Sequence, residues 1–463
     1  MFKQLNLHPL QNSEHNTAFM SPFKSVFLLL FIITFTCFLQ APAQAQRTDS
    51  LLTRAALPEI LGYALANQPA VRQSLINEEI TKLQIKNRLA DWYPQLNFNY
   101  VYQRNFQLPA NVIGGNIVRF GVNNTSGLQF TGSQNIFNRD ALLATRTKDD
   151  VKLVAAKATE NARINLVSNV SKNFYDLLAT EEQRKVTDEN ITRLSRNLKD
   201  SRSRYDAGIV DKTDYQRATI ALNNAMASKR EIENGINAKI ANLKFLINYP
   251  AEQPLSISYD SAVLEKEIYL DTLAVPQYNR RVELQQLQAQ LRLQEANVAY
   301  SKWSYIPSVT ANAAYLKNFQ NDEFGKLYSQ SFPNSYAGIT VGVPIFQGGK
   351  RKNNISIAKK QVEVTQLSIT NFINQANSEY VLAMAQYKSG MANYVALKEN
   401  MVLAGEVYRI IELQYRNGIK TYLELITAQT DLRTAQINYF NALYGLLSSK
   451  IDVQKAEGSI QIP

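Results

Sequence analysis

Cysteine and histidine, on which much enzyme chemistry depends, are almost absent from this chain. Its 463 residues include one cysteine and two histidines, and all three, Cys37, His8 and His15, lie within residues 1–45, which resemble a signal peptide. Without them a mature chain has no thiolate or imidazole nucleophile, no disulfide and no common zinc or haem ligand set. Since no cluster of carboxylates, serines or lysines replaces them, we predict no enzymatic activity, no cofactor and no metal site. Cys37 also lacks the residues that normally precede a lipid-modified cysteine.

Residues 1–45 have the pattern of a secretory signal peptide. Lys24 precedes an apolar run from Val26 to Leu39, and Ala43-Gln44-Ala45 supplies a small-x-small cleavage pattern. Met1 and Met20 are alternative starts, because residues 1–19 are polar and add little to a signal. No later run reaches about 18 apolar residues, so the sequence predicts no membrane-spanning helix.

Charge is not concentrated anywhere along the chain. The formal net charge is +11, from 50 basic and 39 acidic residues, and the basic residues are spread along helical faces rather than gathered in one block. That distribution is typical of a solvated surface, and a secreted chain rarely meets DNA. We therefore predict no nucleic-acid partner.

Proline and glycine are sparse in two long stretches. Neither occurs from Ser133 to Ala207, and no proline occurs from Ile345 to Ile462. Apolar residues recur there at steps of mostly three and four, which predicts long amphipathic helices that pack as in coiled coils. A helix from about Asp140 to Tyr205 would be on the order of 100 Å long. A compact globule does not accommodate such a helix, so we predict an elongated protein.

Four segments outside these helices alternate apolar and polar residues. They lie at about 94–104, 125–137, 307–317 and 335–346. Alternation at period two predicts strands with one face toward an apolar medium and one toward a polar one. Their length suits tilted transmembrane strands of about 9–11 residues, with tyrosine and phenylalanine at the membrane interfaces. A small soluble sheet would alternate in the same way, and segment length does not separate the two.

The chain repeats itself with an offset of about 210 residues. Tyr205-Asp206-Ala207-Gly208-Ile209 matches Tyr415-Arg416-Asn417-Gly418-Ile419, at the end of each long helix. Each half therefore consists of a helix, two strands, a long helix, a tight turn and a further helix. We predict a first repeat at 46–250 with a hairpin tip near 208, a joint at 251–277 that packs around the middle of the helices, a second repeat at 278–455 with a tip near 418, and a tail at 456–463.

Four strands per chain cannot close a barrel, and an open strand edge is not tolerated in lipid. Two chains would give eight strands, whose interior is filled by side chains, whereas three would give twelve and leave a lumen. We therefore predict a mainly α fold with a small β part. Long antiparallel helical hairpins would form an α-barrel, and four transmembrane β-strands per chain would form a shared 12-stranded trimeric barrel.

Two motifs in particular resemble the outer membrane efflux and secretion channels, the TolC-like family. The segment Tyr415–Gln429 carries the family's Tyr-x-x-Gly turn and its acidic helix start, and Asn279–Leu284 is similar to the family's Asn-Arg-Pro-Glu-Leu, with Arg281 in place of proline. The resemblance covers roughly residues 55–455. It implies a homotrimeric outer-membrane channel of a tripartite efflux or type I secretion system, which projects into the periplasm. The implied partners are outer-membrane lipid, a periplasmic adaptor and an inner-membrane pump of the RND or ABC type.

The resemblance also implies a gate at the periplasmic tip. In the family a tyrosine and a basic residue on one hairpin bond an aspartate on the other, and the matching positions are Tyr415, Lys420 and Asp214, with Thr213 beside the aspartate. Lysine lacks the planar fork of the family's arginine, so the latch would be bonded differently. An ordinary interhelical ion pair is the alternative interpretation.

Two further features are implied at the tips. Glu424 matches the first of two acidic positions that ring the lumen in the family, although Thr427 stands at the second and a solvated glutamate is the alternative. The expected adaptor contacts are the hairpin turns, at Gly208, Ile209, Gly418 and Ile419.

Two other classes of protein fit parts of the sequence. A periplasmic coiled-coil adaptor or scaffold would contain the same helices, with the alternating segments in a soluble sheet. An envelope enzyme with catalytic carboxylates would need a pocket that long helical hairpins do not obviously offer.

Overall fold

The computed structural model describes residues 52, 54–273 and 276–463, which belong to one structural unit. The signal peptide predicted at 1–45 lies outside the described residues. The helices are α1 (Leu57–Asn67), α2 (Pro69–Leu89), α3 (Arg139–Asp206), α4 (Lys212–Ile247), α5 (Ser261–Lys266), α6 (Val282–Lys302), α7 (Lys350–Arg416) and α8 (Tyr422–Glu457). The strands are β1 (Arg54–Ala55), β2 (Gln95–Arg104), β3 (Ala110–Ile113), β4 (Asn116–Arg119), β5 (Asn124–Phe137), β6 (Ser256–Ile257), β7 (Ser308–Asn321) and β8 (Ser331–Gly342).

The two halves repeat one helical plan. Helices α2 and α6 have 21 residues each, α3 and α7 have 68 and 67, and α4 and α8 have 36 each. At 1.5 Å per residue α3 is about 100 Å long, as the absence of proline and glycine predicts. Within the described residues, none of the helices combines the length and the apolar character needed to cross a membrane. The duplication seen in the sequence is therefore a duplication of structure.

Four strands form one antiparallel sheet in the order β2-β5-β7-β8. Its register places Phe98, Phe130 and Tyr315 side by side on one face, and the neighbouring positions Asn97 and Thr131 on the other. Because side chains alternate along each strand, one face of the sheet is mainly apolar and the other mainly polar. We call the second one the polar face; its polar members are Gln95, Asn97, Asn99, Gln103, Thr125, Gln129, Thr131, Ser133, Asn135, Ser308, Thr310, Asn312, Asn318, Gln320, Asn334 and Thr340.

The bounds of the last two strands differ from those predicted. Strand β7 continues to Asn321, and β8 begins at Ser331 and ends at Gly342, about four residues earlier than expected at both ends. Pro333 lies within β8 opposite Lys317. Proline is tolerated there because β8 is an edge strand, whose outer side has no neighbouring strand among the described residues. The short hairpin of β3 and β4, and the two-residue pair of β1 and β6, were not predicted.

The helices continue the order of the strands. Beside the sheet the neighbouring helices are α2, α3, α6 and α7, and farther from it they are α4, α3, α8 and α7. One edge of the chain thus consists of β2, α2 and α4, and the other of β8 and α7. Both edges expose large apolar side chains within the described part of the chain. On the first edge these include Leu83, Ile220 and Phe245; on the second they include Ile357, Leu367 and Leu413.

The joint between the halves packs against the middle of the long helices. The hydroxyl of Tyr387 in α7 donates a 2.8 Å hydrogen bond to the carbonyl of Ile268. Ser261, at the start of α5, bonds Glu182 of α3 at 2.9 Å and lies 3.1 Å from the hydroxyl of Tyr444 in α8. The joint therefore connects α3, α7 and α8 at one level along the helices.

Arg281 holds the start of α6 to two other helices. Its guanidinium forms two 3.1 Å bonds with Glu283, a 3.1 Å bond with Glu379 of α7, and a 3.3 Å bond with the carbonyl of Ala456 in α8. The residue is only 5% exposed. Burial alone would raise the pKa of Glu283, but the bonds from Arg281 lower it below its ordinary value. Glu283 therefore stays ionised, and paired with Arg281, to a lower pH than an ordinary glutamate would.

We predict that Arg281→Ala destabilises the protein, because it removes a buried guanidinium and leaves the half-buried carboxylates of Glu283 and Glu379 without their partner. Loss of one member of a fully buried pair costs about 3–5 kcal/mol, and the partial exposure of these carboxylates places the expected cost at the lower end of that range. Chemical unfolding of the purified protein in detergent measures the change. Arg292→Ala is the matched control, since Arg292 pairs with Asp150 at 2.6 Å on the surface and such pairs contribute about 0–1 kcal/mol. Equal effects of the two substitutions would contradict the assignment.

Candidate functional site at the hairpin tips

The two hairpin turns share one backbone geometry. After α3, Gly208 takes a φ of 71°, and the N–H of Ile209 donates to the carbonyl of Arg204 at 2.9 Å. After α7, Gly418 takes a φ of 76° and Ile419 makes the equivalent 2.9 Å bond. This is the Schellman termination, which needs a left-handed residue and so favours glycine. Ile209 and Ile419 are 72% and 70% exposed, so each turn presents one large apolar side chain.

The second turn has a side-chain cap that the first lacks. The hydroxyl of Thr421 accepts from the N–H of Glu424 at 3.3 Å, and the carboxylate of Glu424 accepts from the N–H of Thr421 at 2.9 Å. This reciprocal pair is a capping box, which fixes the first turn of α8. In the first half Asp211 occupies the cap position of α4 and forms no such bond, while Asp214 stands where Glu424 does.

Lys420 bonds Glu424 within this chain. Its ammonium lies 2.6 Å from the other carboxylate oxygen of Glu424. The bonds from Lys420 and then from Thr421 lower the pKa of Glu424 to about 2. Glu424 is thus charged across the physiological range, but its charge is balanced locally. Whether three such carboxylates ring a lumen stays a prediction.

Tyr415 is buried where the two hairpins meet. The guanidinium of Arg204, from α3, lies 4.9 Å from the centre of its ring, and Tyr422 packs edge-on at 6.1 Å. Ala218 of α4 and Leu425 of α8 complete the apolar contact. Tyr415 is therefore a packing residue that joins both hairpins, a role that fits its position at a predicted latch.

Asp214 lies close to Tyr422 but has no ion-pair partner within the part of the chain that the structure describes. Among the described residues, no hydrogen bond or ion pair joins its carboxylate to Tyr415 or Lys420. Burial, followed by the proximity of Tyr415 and Asp214, raises the pKa of Tyr422 to about 12. The Tyr422 hydroxyl is buried and has no hydrogen-bond partner in the described part of the chain. The structure therefore adds Tyr422 to the candidate tip residues, while Thr213 is exposed beside Asp214.

A buried amide group behind the tips links the two hairpins. Gln429 of α8 donates to Asn190 at 2.8 Å and accepts from Asn197 at 2.9 Å, and both asparagines belong to α3. Gln429 is almost fully buried. An amide group of this kind fixes the register of two packed helices, because any slip leaves buried polar atoms unpaired.

Comparison with known proteins agrees with this architecture. The family model for outer membrane efflux proteins matches residues 60–248 and 278–459, which are the two halves on either side of the joint. The chain belongs to the outer membrane efflux protein family. It is 23% identical over 414 residues to the probable efflux pump outer membrane protein TtgC of Pseudomonas putida, with 87% of this chain and 83% of that protein covered.

Two further comparisons give the same result. The outer membrane protein TolC of Escherichia coli is 19% identical over 421 residues, which cover 87% of this chain and 82% of TolC. The crystal structure of the outer membrane protein VceC from Vibrio cholerae superposes with a TM-score of 0.70 at 14% identity, over 87% of this chain and 96% of VceC. The predicted family, the α-barrel and β fold class and the outer-membrane efflux function are confirmed, and nothing found supports a periplasmic adaptor.

We predict that Lys420→Ala makes the tip sensitive to mild acid. The carboxylate of Glu424 helps to hold the start of α8 while it is ionised, and this support is lost as the pH falls through the folded-state pKa. In the native protein that pKa is about 2, so the titration of Glu424 should not change conductance in a planar bilayer between about pH 7 and pH 4. Without Lys420 the pKa of Glu424 rises toward its ordinary value, and a change near pH 4 is expected.

The control is Lys360→Ala, which removes an exposed ion pair with Glu363 at 2.7 Å on α7, far along the helix from the tip. The same pH response in the native protein and the Lys420 variant would contradict the role assigned to this pair.

Proposed function

We propose that the protein is one subunit of a homotrimeric channel in the outer membrane, which belongs to a tripartite efflux or type I secretion system. The channel conducts substrates passively to the exterior, after a periplasmic adaptor and an inner-membrane pump of the RND or ABC type have delivered them. The observation that carries the proposal is the four-stranded sheet, which has one apolar face, one polar face and two edge strands without a neighbour in the described chain.

Aromatic side chains at both ends of the strands support placement in a bilayer. At the end away from the long helices, Tyr100 and Tyr328 meet at 2.8 Å, and Phe319 packs edge-on against Tyr328 at 5.1 Å. At the other end Tyr93 and Tyr305 are exposed. Two aromatic bands that bracket an apolar surface are typical of strands that cross the outer membrane.

The apolar edges of the chain support a closed ring of subunits. Both edges run from the strands into the helices, so one neighbour could pair with β2 and α2 while another pairs with β8 and α7. Three chains would supply twelve strands, which leave a lumen, whereas two would supply eight and leave none. The exposed apolar residues of α7 would then be buried against the next subunit.

The mass of the detergent-solubilised mature protein and its single-channel conductance in a planar bilayer test this proposal together. We expect a trimer with low, discrete conductance. The variant Leu367→Glu with Leu413→Glu places two charges on the apolar edge of α7 and should yield monomers that do not conduct. Ile419→Glu is the matched control, because Ile419 is equally exposed but lies at the tip. A native protein that stays soluble and monomeric would contradict the channel proposal and favour the alternative, a periplasmic coiled-coil adaptor or scaffold.

We also propose that Thr213, Asp214, Tyr415 and Lys420 belong to a latch that biases the tip toward a closed state. A few charge-assisted bonds are sufficient to bias a two-state opening. In the single chain Lys420 bonds Glu424, so a contact with Asp214 would need a neighbouring subunit or another rotamer of Lys420.

We predict that Asp214→Ala and Lys420→Ala each raise conductance, and that the double variant rises no further than the larger single effect. That coupling is expected of two groups that act through one contact. Glu424→Gln separates the alternatives, because it removes the partner seen within the chain and leaves Asp214 in place. If Glu424→Gln reproduces Lys420→Ala while Asp214→Ala has no effect, the latch assignment is wrong and the channel assignment remains.

A further inference from the structure

A cavity of about 360 Å³ lies where the sheet passes into the long helices. Ser308 and Gly342, which are register partners at the end of β7 and β8, line it from the polar face. A Cβ on Gly342 would lie 2.9 Å from the hydroxyl of Ser308, so the two positions lie on the same face of the sheet, and the register of β7 and β8 makes this the polar face. The cavity is therefore on the side of the sheet that faces the lumen in the proposed channel.

Three cations and one carboxylate line this cavity. The cations are Arg139 at the start of α3, and Lys350 and Arg351 at the start of α7. Asp140 is the carboxylate, and it accepts a 2.5 Å hydrogen bond from the hydroxyl of Tyr300. The cavity thus carries an excess of two positive charges per chain.

None of these three cations forms an ion pair within the described residues. Arg139 instead lies 4.6 Å from the centre of the Tyr300 ring, and Arg351 lies 5.0 Å from that of Tyr305. Arg351 also donates to the side chain of Gln347 at 3.1 Å and to the carbonyl of Pro344. These contacts orient the guanidinium groups but leave their charge uncompensated.

Helix stability does not account for the basic residues at the start of α7. The N-terminal end of a helix carries positive partial charge, so acidic side chains are favoured there and basic ones are not. Helix α7 nevertheless begins Lys350-Arg351-Lys352 and has no acidic residue in its first turn. Basic residues that lower the stability of the helix in which they lie are expected to have another role.

The polar face of the four strands, by contrast, bears no charge. Its positions are amides, hydroxyls, small residues and a few apolar side chains from Gln95 to Gly342. A solute that moves along this face therefore meets no charged side chain until it reaches the cavity. There the unpaired cations produce the strongest electrostatic field along its path.

We propose that Arg139, Lys350 and Arg351 form a basic collar at the junction of sheet and helices, which favours the passage of anionic solutes. This proposal rests on the proposed channel function. It defines the class of substrate more closely, as molecules that carry carboxylate, phosphate or sulfonate groups. Rings of basic side chains are a known physical basis of anion selectivity in pores, and arginine adds planar donors that suit such groups.

Inorganic tripolyphosphate, added to the outer side of a planar bilayer, tests the collar without having to pass the hairpin tips. The readouts are block of the current and the reversal potential in a potassium chloride gradient. For the native protein we expect block and a preference for chloride. The variant Arg139→Gln, Lys350→Gln, Arg351→Gln should lose the preference and bind the blocker at least about tenfold more weakly, the equivalent of one lost charge-assisted contact.

Two controls separate charge from structure. Lys82→Gln, Lys157→Gln, Lys360→Gln removes the same amount of charge from lysines that already have carboxylate partners in their own helices, and it should retain block and preference. Arg351→Lys keeps the charge but loses the bonds to Gln347 and Pro344, and it should retain most of the block. A purely structural role of Arg351 predicts the opposite.

Unchanged block and reversal potential in the triple glutamine variant would overturn the collar and leave the channel intact. That result is also expected if the cations face lipid rather than the lumen. A native protein that forms no conducting channel would overturn the proposed function, and the collar with it.

Discussion

An unpaired strand edge cannot remain in a lipid bilayer, and most of this structure follows from that constraint. The described residues form a four-stranded sheet with two open edges, and each edge continues into a helix that exposes apolar residues, such as Leu83 of α2 and Leu367 of α7. In the proposed channel the same neighbour that completes the sheet would therefore also cover the helices. Sheet and helices would be two parts of one interface, so neither part is expected to assemble without the other.

At the junction between strands and helices, the distance between neighbouring elements has to increase. Strands lie about 4.8 Å apart, whereas packed helices lie about 8–10 Å apart. Four helices that continue four strands must therefore spread as they leave the sheet. Only Asn138 separates β5 from α3, but seven residues with a glycine pair at Gly348 and Gly349 separate β8 from α7. The cavity lies where this spreading begins, so the space for a basic collar is a consequence of the geometry.

Much of the fold could be predicted because its signals are local. Alternation at period two marks the strands, and the repeated Tyr-x-x-Gly turns mark both hairpin tips. The true start of β8, at Ser331, could not be predicted because Pro333 follows it. Proline is acceptable in an edge strand but not in a central one, and the sequence does not show which strands lie at the edge of the sheet. Thr421 and Glu424 have the spacing of a capping box, a signal that was available and overlooked. Arg139 and Lys350 are 211 positions apart, and only the sheet register brings them to one cavity.

The pairing of charged side chains differs between the two ends of the long helices. Near the tips, several cations pair with carboxylates in the same helix or turn, as in Arg202 with Asp206, Arg416 with Glu412 and Lys420 with Glu424. If three copies converge to close the pore, unpaired charges of one sign would repel one another at short range. Local pairing of these charges reduces that repulsion and so lowers the electrostatic free energy of closure. In the proposed channel the sheet would hold the pore wide at the junction, so unpaired cations there could act on a solute without opposing assembly.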